Sequence, residues 1–412
     1  MSNLATNVCV FSHKTFIPPT SGHNVTVYNH LIGLKKEGFA VDFFVYSQES
    51  SSTKFDGINV HTTTPSKVLN LIFSSRFFNW IMKIGKSVEA NLVLSSLDPK
   101  LASLSSKKIQ DADIVMVEHI WSSFFPILYA RLSNKPLVLV DHNAETVLSR
   151  QFLKKATSPI TKLLLSLRLA YTLFLEKYAC EKSDIVVTLS QNDIFSIKTT
   201  FRISENKFKI IPPSIDAKKM KADPSIGLKK RKKLGIPNDY LIVGFLGDLT
   251  TIPNLTAVKY IINNIAPNVF ANLPKTVFLI IGRYKRTVPF QEKANIIFTN
   301  EVSDLKPFLS ATDVCIAPLT LGSGVKLKVL TYMAFSKPVI STPIGIEGIH
   351  AKNDEDVIIC SLENFQNEIL RLASDKRLRL KIGRKARKLI EDNYDREVVT
   401  RRLAMIMSEV KH

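Results

Sequence analysis

The chain has 412 residues, 45% of them hydrophobic, and a formal net charge of +20 at pH 7. That length exceeds what one hydrophobic core usually serves, so two domains are predicted, and the composition excludes a disordered or fibrous protein. No uncharged apolar run reaches about 18 residues, which excludes a spanning helix. Four scattered cysteines (Cys9, Cys180, Cys315, Cys360) exclude a disulfide scaffold or a thiolate metal site. Positive charge attracts phosphorylated substrates, anionic lipid or nucleic acid. The basic clusters carry few interleaved aromatics and no nucleic-acid motif, so nucleic acid is not expected as a partner.

Short apolar runs alternate with longer helical patterns along the chain. The first set falls at 8–11, 40–45, 114–117, 137–140, 185–189 and 208–211. The second falls at 241–245, 277–281, 296–299, 314–317, 339–341 and 356–359. Most are continuous rather than alternating, as strands covered on both faces are. Strand–helix–strand order implies parallel sheets with right-handed crossovers. The predicted fold class is α/β: two doubly wound, Rossmann-like domains facing a central cleft. The first domain is expected at 1–212 and the second at 241–391. Prolines and the run Lys229-Lys-Arg-Lys-Lys233 suggest a linker at 213–240, and a last helix at 392–412 is expected to cross back to the first domain.

Ligands of doubly wound sheets bind outside the carboxyl ends of the strands. In the first half those ends carry a glycine loop closing at Gly22, then Glu118-His119, then Asp141-His-Asn-Ala-Glu145. In the second half they carry Gly247-Asp248, Gly282-Arg283 and Gly322-Ser-Gly-Val-Lys-Leu-Lys328. A helix opening at Val325 would present free N–H groups and a positive dipole end, which suit a diphosphate. Lys326 and Lys328 oppose that dipole, so an anion site explains them better than helix stability; a surface helix with two solvated lysines is the plainer alternative. The pair Asp111-Ala-Asp113 imitates a metal-binding motif but stands at the amino end of a strand, where chain reversal accounts for it. No catalytic metal is expected. Segment 68–86 is aromatic, aliphatic and basic with no acid, which fits a membrane-facing or acceptor-facing helix. The similar segment 160–178 is read as core-facing.

Taken in order, these motifs resemble retaining family-four glycosyltransferases of the GT-B fold over nearly the whole chain. The matching residues are Gly322 to Lys328 with Lys337-Pro-Val-Ile-Ser-Thr342 and Glu347-Gly-Ile349. Phe245-Leu-Gly247 with Pro253-Asn254, Asp141-His-Asn143 with Glu145, Asp184-Ile-Val-Val-Thr-Leu-Ser190 and the loop at Gly22 also match. The resemblance implies an acceptor-binding first domain and a nucleotide-sugar-binding second domain. Ser323, Gly324 and Val325 would receive the diphosphate through backbone N–H groups, and Lys326 and Lys328 would neutralise it as it leaves. Gly22 and Gly247 would lie against the donor, Arg283 near the nucleobase and His119 beside the sugar. Asp141, His142 and Glu145 would orient the acceptor hydroxyl or cap the next helix, with Asn143 favouring the cap and Asp141 the cleft. No metal or other cofactor is implied.

Two positions depart from the family pattern of paired glutamates: Ser323 and Thr331 stand at those places. Thr331 replaces the carboxylate that would hold the nucleotide ribose. The expected function is transfer of a sugar from a nucleotide-diphosphate sugar to a glycan or lipid-linked acceptor in surface glycan assembly. The expected place is the cytoplasm, peripheral to an anionic membrane surface. A catalytically impaired nucleotide- or glycan-binding partner protein is the alternative, and a sugar-nucleotide epimerase a second; turnover of donor without acceptor would mark the epimerase.

Overall fold

The computed structural model describes all residues except 1–4, 14, 16–21, 48, 77–92, 94–95, 285–294, 323 and 412, and omits the side chains of 102 and 104. The chain divides into two units, 1–212 with 399–412, and 213–398. In the first unit the strands are β1 (Asn7–Ser12), β2 (Ala40–Tyr46), β3 (Ser51–Phe55), β4 (Ile58–Thr63), β5 (Ile114–Glu118), β6 (Leu137–Asp141), β7 (Ile185–Thr188) and β8 (Phe208–Ile210). They form one sheet in the order β3-β4-β2-β1-β5-β6-β7-β8. Every pairing is parallel except β3 with β4, so this sheet is mixed rather than all parallel as expected. The antiparallel edge is a hairpin turned by Asp56 and Gly57, both at positive φ (48° and 82°), the geometry a two-residue loop needs.

The second unit holds β9 (Leu241–Leu246), β10 (Thr276–Ile281), β11 (Ile296–Phe298), β12 (Val314–Ala317), β13 (Val339–Ser341) and β14 (Ile358–Ile359). Their order is β11-β10-β9-β12-β13-β14, and all pairings are parallel. The continuous apolar runs follow from burial on both faces. Along β1, Val8 and Val10 enter one core while Cys9 and Phe11 enter another, and along β10 Leu279 and Phe278 part in the same way.

The last helix, Arg396–Lys411, belongs to the first unit from Val399 onward. Val399, Leu403 and Met407 are buried with Val8, Val10 and Leu31. Gly33 lets the helix Gly22–Lys36 pass close to it, since a Cβ at Gly33 would lie 2.1 Å from Thr400 Cγ2. Among the described residues no helix is long and apolar enough to cross a membrane.

Residues 213–240 are folded into the second unit and are not a free linker. Asp223 caps the helix Pro224–Lys233 by accepting the N–H groups of Ser225 and Ile226. Arg231, from the charge run, turns inward: its guanidinium pairs with Asp313 at 2.5 Å and donates to the carbonyls of Ala311 and Tyr240. Gly227 faces the backbone of Ser310, where a Cβ would lie 2.7 Å from the carbonyl oxygen. Backbone cannot swing aside as a side-chain tip can. Gly227→Ala is therefore expected to lower unfolding free energy by about 1–3 kcal/mol in urea denaturation. A change within roughly 0.5 kcal/mol, as at an unconstrained surface position, would restore the linker reading.

Candidate functional site

At the carboxyl edge of the second sheet, β9 ends in Gly247, β10 ends in Gly282 and Arg283, and β12 leads into the 322–328 loop. Gly282 sits at φ 131°, and a Cβ there would lie 2.3 Å from the carbonyl oxygen of Gly247, so only glycine lets these two strand ends approach. Gly322 and Gly324 also take positive φ, 118° and 68°. Together they turn the chain so that a helix begins at Leu327, two residues later than expected, with Lys326 at its cap. The helix Leu327–Ala334 has no side-chain cap, and the Tyr332 hydroxyl ties it to β9 by accepting the Leu246 N–H at 2.5 Å.

Lys328 is the centre of this edge. Its ammonium hydrogen-bonds Asn254 Oδ1 and lies 4.4 Å from the centroid of the Phe245 ring. Asn254 is held in turn by donating to the Asp248 carbonyl at 2.9 Å. A Cβ at Gly247 would come within 2.9 Å of the Lys328 nitrogen, so a side chain there would push the ammonium from this place. Burial, reinforced by Lys326, pushes the Lys328 pKa down to about 7. No carboxylate is among the causes of that shift; the enclosing groups are an amide, an aromatic face and a second cation. Lys326 bends back to the Gly324 carbonyl and stands 3.7 Å from Glu347.

The other donor-side residues occupy different surroundings. Arg283 is half exposed and pairs with Asp248 at 3.2 Å and Glu301 at 3.8 Å. Thr331 is buried, and its hydroxyl donates to the Leu327 carbonyl one turn back at 2.8 Å. Val325 and Gly324 lie beside Lys326 in the loop. Ser323 lies outside the described residues, as do 16–21, the part of the glycine loop before Gly22. Gly22 itself is the exposed first residue of its helix.

The first unit gathers five of the chain's eight histidines at the carboxyl edge of its sheet. His23 stacks near His142 at 4.5 Å between centroids and near His13 at 4.7 Å, and His13 lies 4.9 Å from His119. Glu118, fully buried at the end of β5, takes hydrogen bonds from His30 Nδ1 (2.8 Å) and His142 Nε2 (2.6 Å). Burial alone would raise its pKa; the charge of His30 and the bonds from His142 and His30 hold it far below the usual carboxylate range. Burial lowers the His142 pKa against the pull of Glu118, leaving a neutral ring that donates through Nε2.

His119 is held at φ 86°, a conformation that costs a non-glycine residue about 1–3 kcal/mol. Its Nδ1 accepts the Trp121 N–H at 3.5 Å, so Nε2 carries the proton and faces Glu145 Oε1 at 3.3 Å. Glu145 also stands 3.7 Å from Arg168. Burial would raise its pKa, but the bond from His119 and the charges of His119 and Arg168 bring it below the ordinary value. Asp141 is fully buried, and burial together with Glu176, Glu145 and Asp193 pushes its pKa well up. The expected cap is supplied from elsewhere: neither Asp141 nor Asn143 caps the helix Glu145–Lys155. Glu176, a residue of the distant helix Pro159–Lys182, accepts the N–H groups of Glu145 (2.7 Å) and Thr146 (3.3 Å).

The sequence picked out His119, Asp141 and Glu145, and the structure brings them together, each buried. It missed His13, His23, His30, Arg168 and Glu176. His23 and His30, seven apart and so on one helix face, were the available signal. In the second unit it missed Phe245 and Tyr332 as the groups that position Lys328. Asp113 takes a structural place, accepting the Asn7 N–H at 2.8 Å and pairing with Lys411 at 3.5 Å. Among the described residues no group of three or more His, Cys, Asp or Glu is arranged to hold a metal ion.

Comparison with known proteins bears on both units. A family model described as Glycosyltransferase Family 4 matches residues 20–219, and one described as Glycosyl transferases group 1 matches residues 241–375. A curated relative, an uncharacterized 44.6 kDa protein in the cps region of Klebsiella pneumoniae, is 27% identical over 166 residues. That match spans 38% of this chain and only 43% of the relative. The fold is similar to that of Anabaena HepE in complex with UDP and glucose (TM-score 0.68, 14% identity, 97% of this chain and 99% of that one). It is also similar to sucrose-phosphate synthase from Thermosynechococcus elongatus (TM-score 0.70, 15% identity, 98% and 99%) and to WaaG, a glycosyltransferase involved in lipopolysaccharide biosynthesis (TM-score 0.64, 16% identity, 97% and 99%). Two family models that between them reach from residue 20 to residue 375, on two Rossmann-like units, show that the chain belongs to the family-four-like glycosyltransferases of the GT-B fold.

Proposed function

We propose that the chain moves a sugar from a nucleotide-diphosphate sugar to a glycan or lipid-linked acceptor in cell-surface glycan assembly. Transfer retains the anomeric configuration, needs no metal or other cofactor, and takes place in the cytoplasm at the membrane surface. The observation that carries this reading is the enclosed ammonium of Lys328 beside the uncapped start of the helix Leu327–Ala334. A lysine kept partly from water and, among the described residues, facing no carboxylate gains most when a diphosphate arrives. As the bond between the sugar and the diphosphate breaks, negative charge grows on the departing oxygen. Lys328 and Lys326 stand ready to stabilise it, and the backbone N–H groups of the glycine loop would join them. Gly22 would bring its loop to the same phosphates, and Arg283 would meet the nucleobase. His119 would reach the sugar by exchanging Glu145 for it, while Asp141 and Glu145 set the acceptor side. Support for the donor class comes from HepE, which was crystallised with UDP and with UDP-glucose, and for the setting from WaaG.

The test is transfer or hydrolysis measured with UDP-, GDP-, dTDP- and ADP-sugars. One class is expected to turn over, and Lys328→Ala, folded by circular dichroism, is expected to lose about 100- to 1,000-fold in rate. Equal rates in both proteins would remove Lys328 from the chemistry.

Binding should also depend on pH in a definite sense. Below about pH 7 Lys328 is charged before the ligand arrives. Above that value the free side chain is neutral, and a diphosphate must draw a proton onto it. Affinity for a UDP-sugar, whose phosphates do not titrate here, is expected to be flat at acid pH. It should fall by up to roughly tenfold per pH unit above neutrality until the raised pKa of the complex is reached. Calorimetry in buffers of different ionisation enthalpy would show the proton uptake; a pH-independent affinity with no uptake contradicts the assignment.

Thr331 favours a second reading, a donor-binding protein with impaired catalysis, because its hydroxyl is already committed to Leu327. A carboxylate accepting ribose hydroxyls is worth about 1.5–3 kcal/mol. Thr331→Glu is accordingly expected to tighten nucleotide binding about tenfold or more. Gain of turnover from an inactive parent would establish the impaired reading, and unchanged affinity would show that position 331 does not meet the ribose.

A further inference from the structure

The helix Pro159–Lys182 buries one face in the first unit through Leu165, Thr172, Leu175 and Ala179. A surface helix ordinarily turns charged residues outward on the other face. Here the outward face carries Ile160 (49% exposed), Leu163 (63%), Leu167 (61%) and Phe174 (53%), spaced as one stripe about 21 Å long. The core-facing reading of 160–178 therefore holds for half of the helix only. Phe124 continues the apolar surface, 6.1 Å from Phe174 and 5.2 Å from Tyr178. Its helix, Phe124–Leu132, exposes Leu132 (77%).

Charge beside the start of the stripe has one sign, and Glu181, exposed beyond its far end, is paired with Lys177 at 3.7 Å. Residues 146–175 contain five basic side chains and no acid. Arg168 is buried, and the other four, Arg150, Lys154, Lys155 and Lys162, are exposed before or beside the start of the stripe. We propose that this face lies flat in the interface of an anionic lipid bilayer. Ile160, Leu163, Leu167 and Phe174 enter the acyl boundary, and Arg150, Lys154, Lys155 and Lys162 meet the headgroups. A second copy of the chain fits less well, because a two-fold contact would bring the four exposed basic side chains near their own equivalents. The assignment deepens the membrane placement proposed above and is independent of the transfer chemistry. It also differs from the sequence expectation for 68–86, of which 77–86 lies outside the described residues; in the described part Val68 and Leu71 are exposed.

Co-sedimentation of the full chain with vesicles of phosphatidylcholine, with and without phosphatidylglycerol, tests it. The parent is expected to bind the anionic vesicles and to be released by salt. Leu163→Ser/Leu167→Ser, on exposed positions that leave folding intact, is expected to lower partitioning about tenfold or more while nucleotide binding stays as in the parent. Parent and variant binding equally would overturn this face and leave the membrane placement standing. A parent that binds no vesicle would overturn both. A dimer in light scattering that the variant abolishes, without vesicle binding, would give the stripe to a second copy. A loss of folding stability in the variant would give it to the chain's own residues, and either result overturns the proposal.

Discussion

A lysine ammonium held largely away from water organises the carboxyl edge of the second unit. Drawing a cation out of water beside another cation is unfavourable, and this lowers the Lys328 pKa although an amide oxygen and an aromatic face partly offset the cost. The surrounding residues are what make the position attainable. Gly247 leaves room for the nitrogen, Gly282 allows Gly247 to sit where it does, Asn254 accepts one N–H, and Tyr332 fastens the helix to β9. A cation left with so little compensation is one whose charge can be completed by a ligand. Thermodynamic cost in the free protein and the proposed affinity for a diphosphate would be two aspects of the same arrangement.

The first unit handles charge in the opposite way. Glu118 receives two ring N–H groups, Glu145 faces His119 and Arg168, and Glu176 is committed to the start of a helix. These groups compensate one another. His119 is bound to its own neighbours at both ring nitrogens. Substrate contact by that ring requires one of those partners to be exchanged, whereas at Lys328 only the amide has to yield.

The alternation of elements was legible because strands buried on both faces must be apolar throughout, and 114–118 or 276–281 have little other use. The hairpin was not, since Ser51–Phe55 is an exposed edge strand with no apolar run; its signal was the Asp56-Gly57 pair between two β-rich segments. The helix Pro224–Lys233 was taken for a linker because a buried guanidinium, Arg231, does the anchoring that hydrophobic spacing usually announces. At the candidate site the glycine loop and both lysines stood out, being contiguous in the chain. Their supports, Asn254 and Tyr332, meet partners 74 and 86 residues away, and the histidines of the first unit are drawn from positions 13 to 142. No local spacing connects such groups; only the sheet order does.

The proposed function depends on Lys328 receiving a diphosphate. A structure of the chain with bound UDP tests this most directly. Phosphate oxygens are expected about 2.7–3.0 Å from the Lys328 nitrogen, with Asn254 displaced and the N–H groups of Gly324 and Val325 directed at the same phosphate. A diphosphate bound elsewhere, with Lys328 still joined to Asn254 against the Phe245 ring, would contradict it.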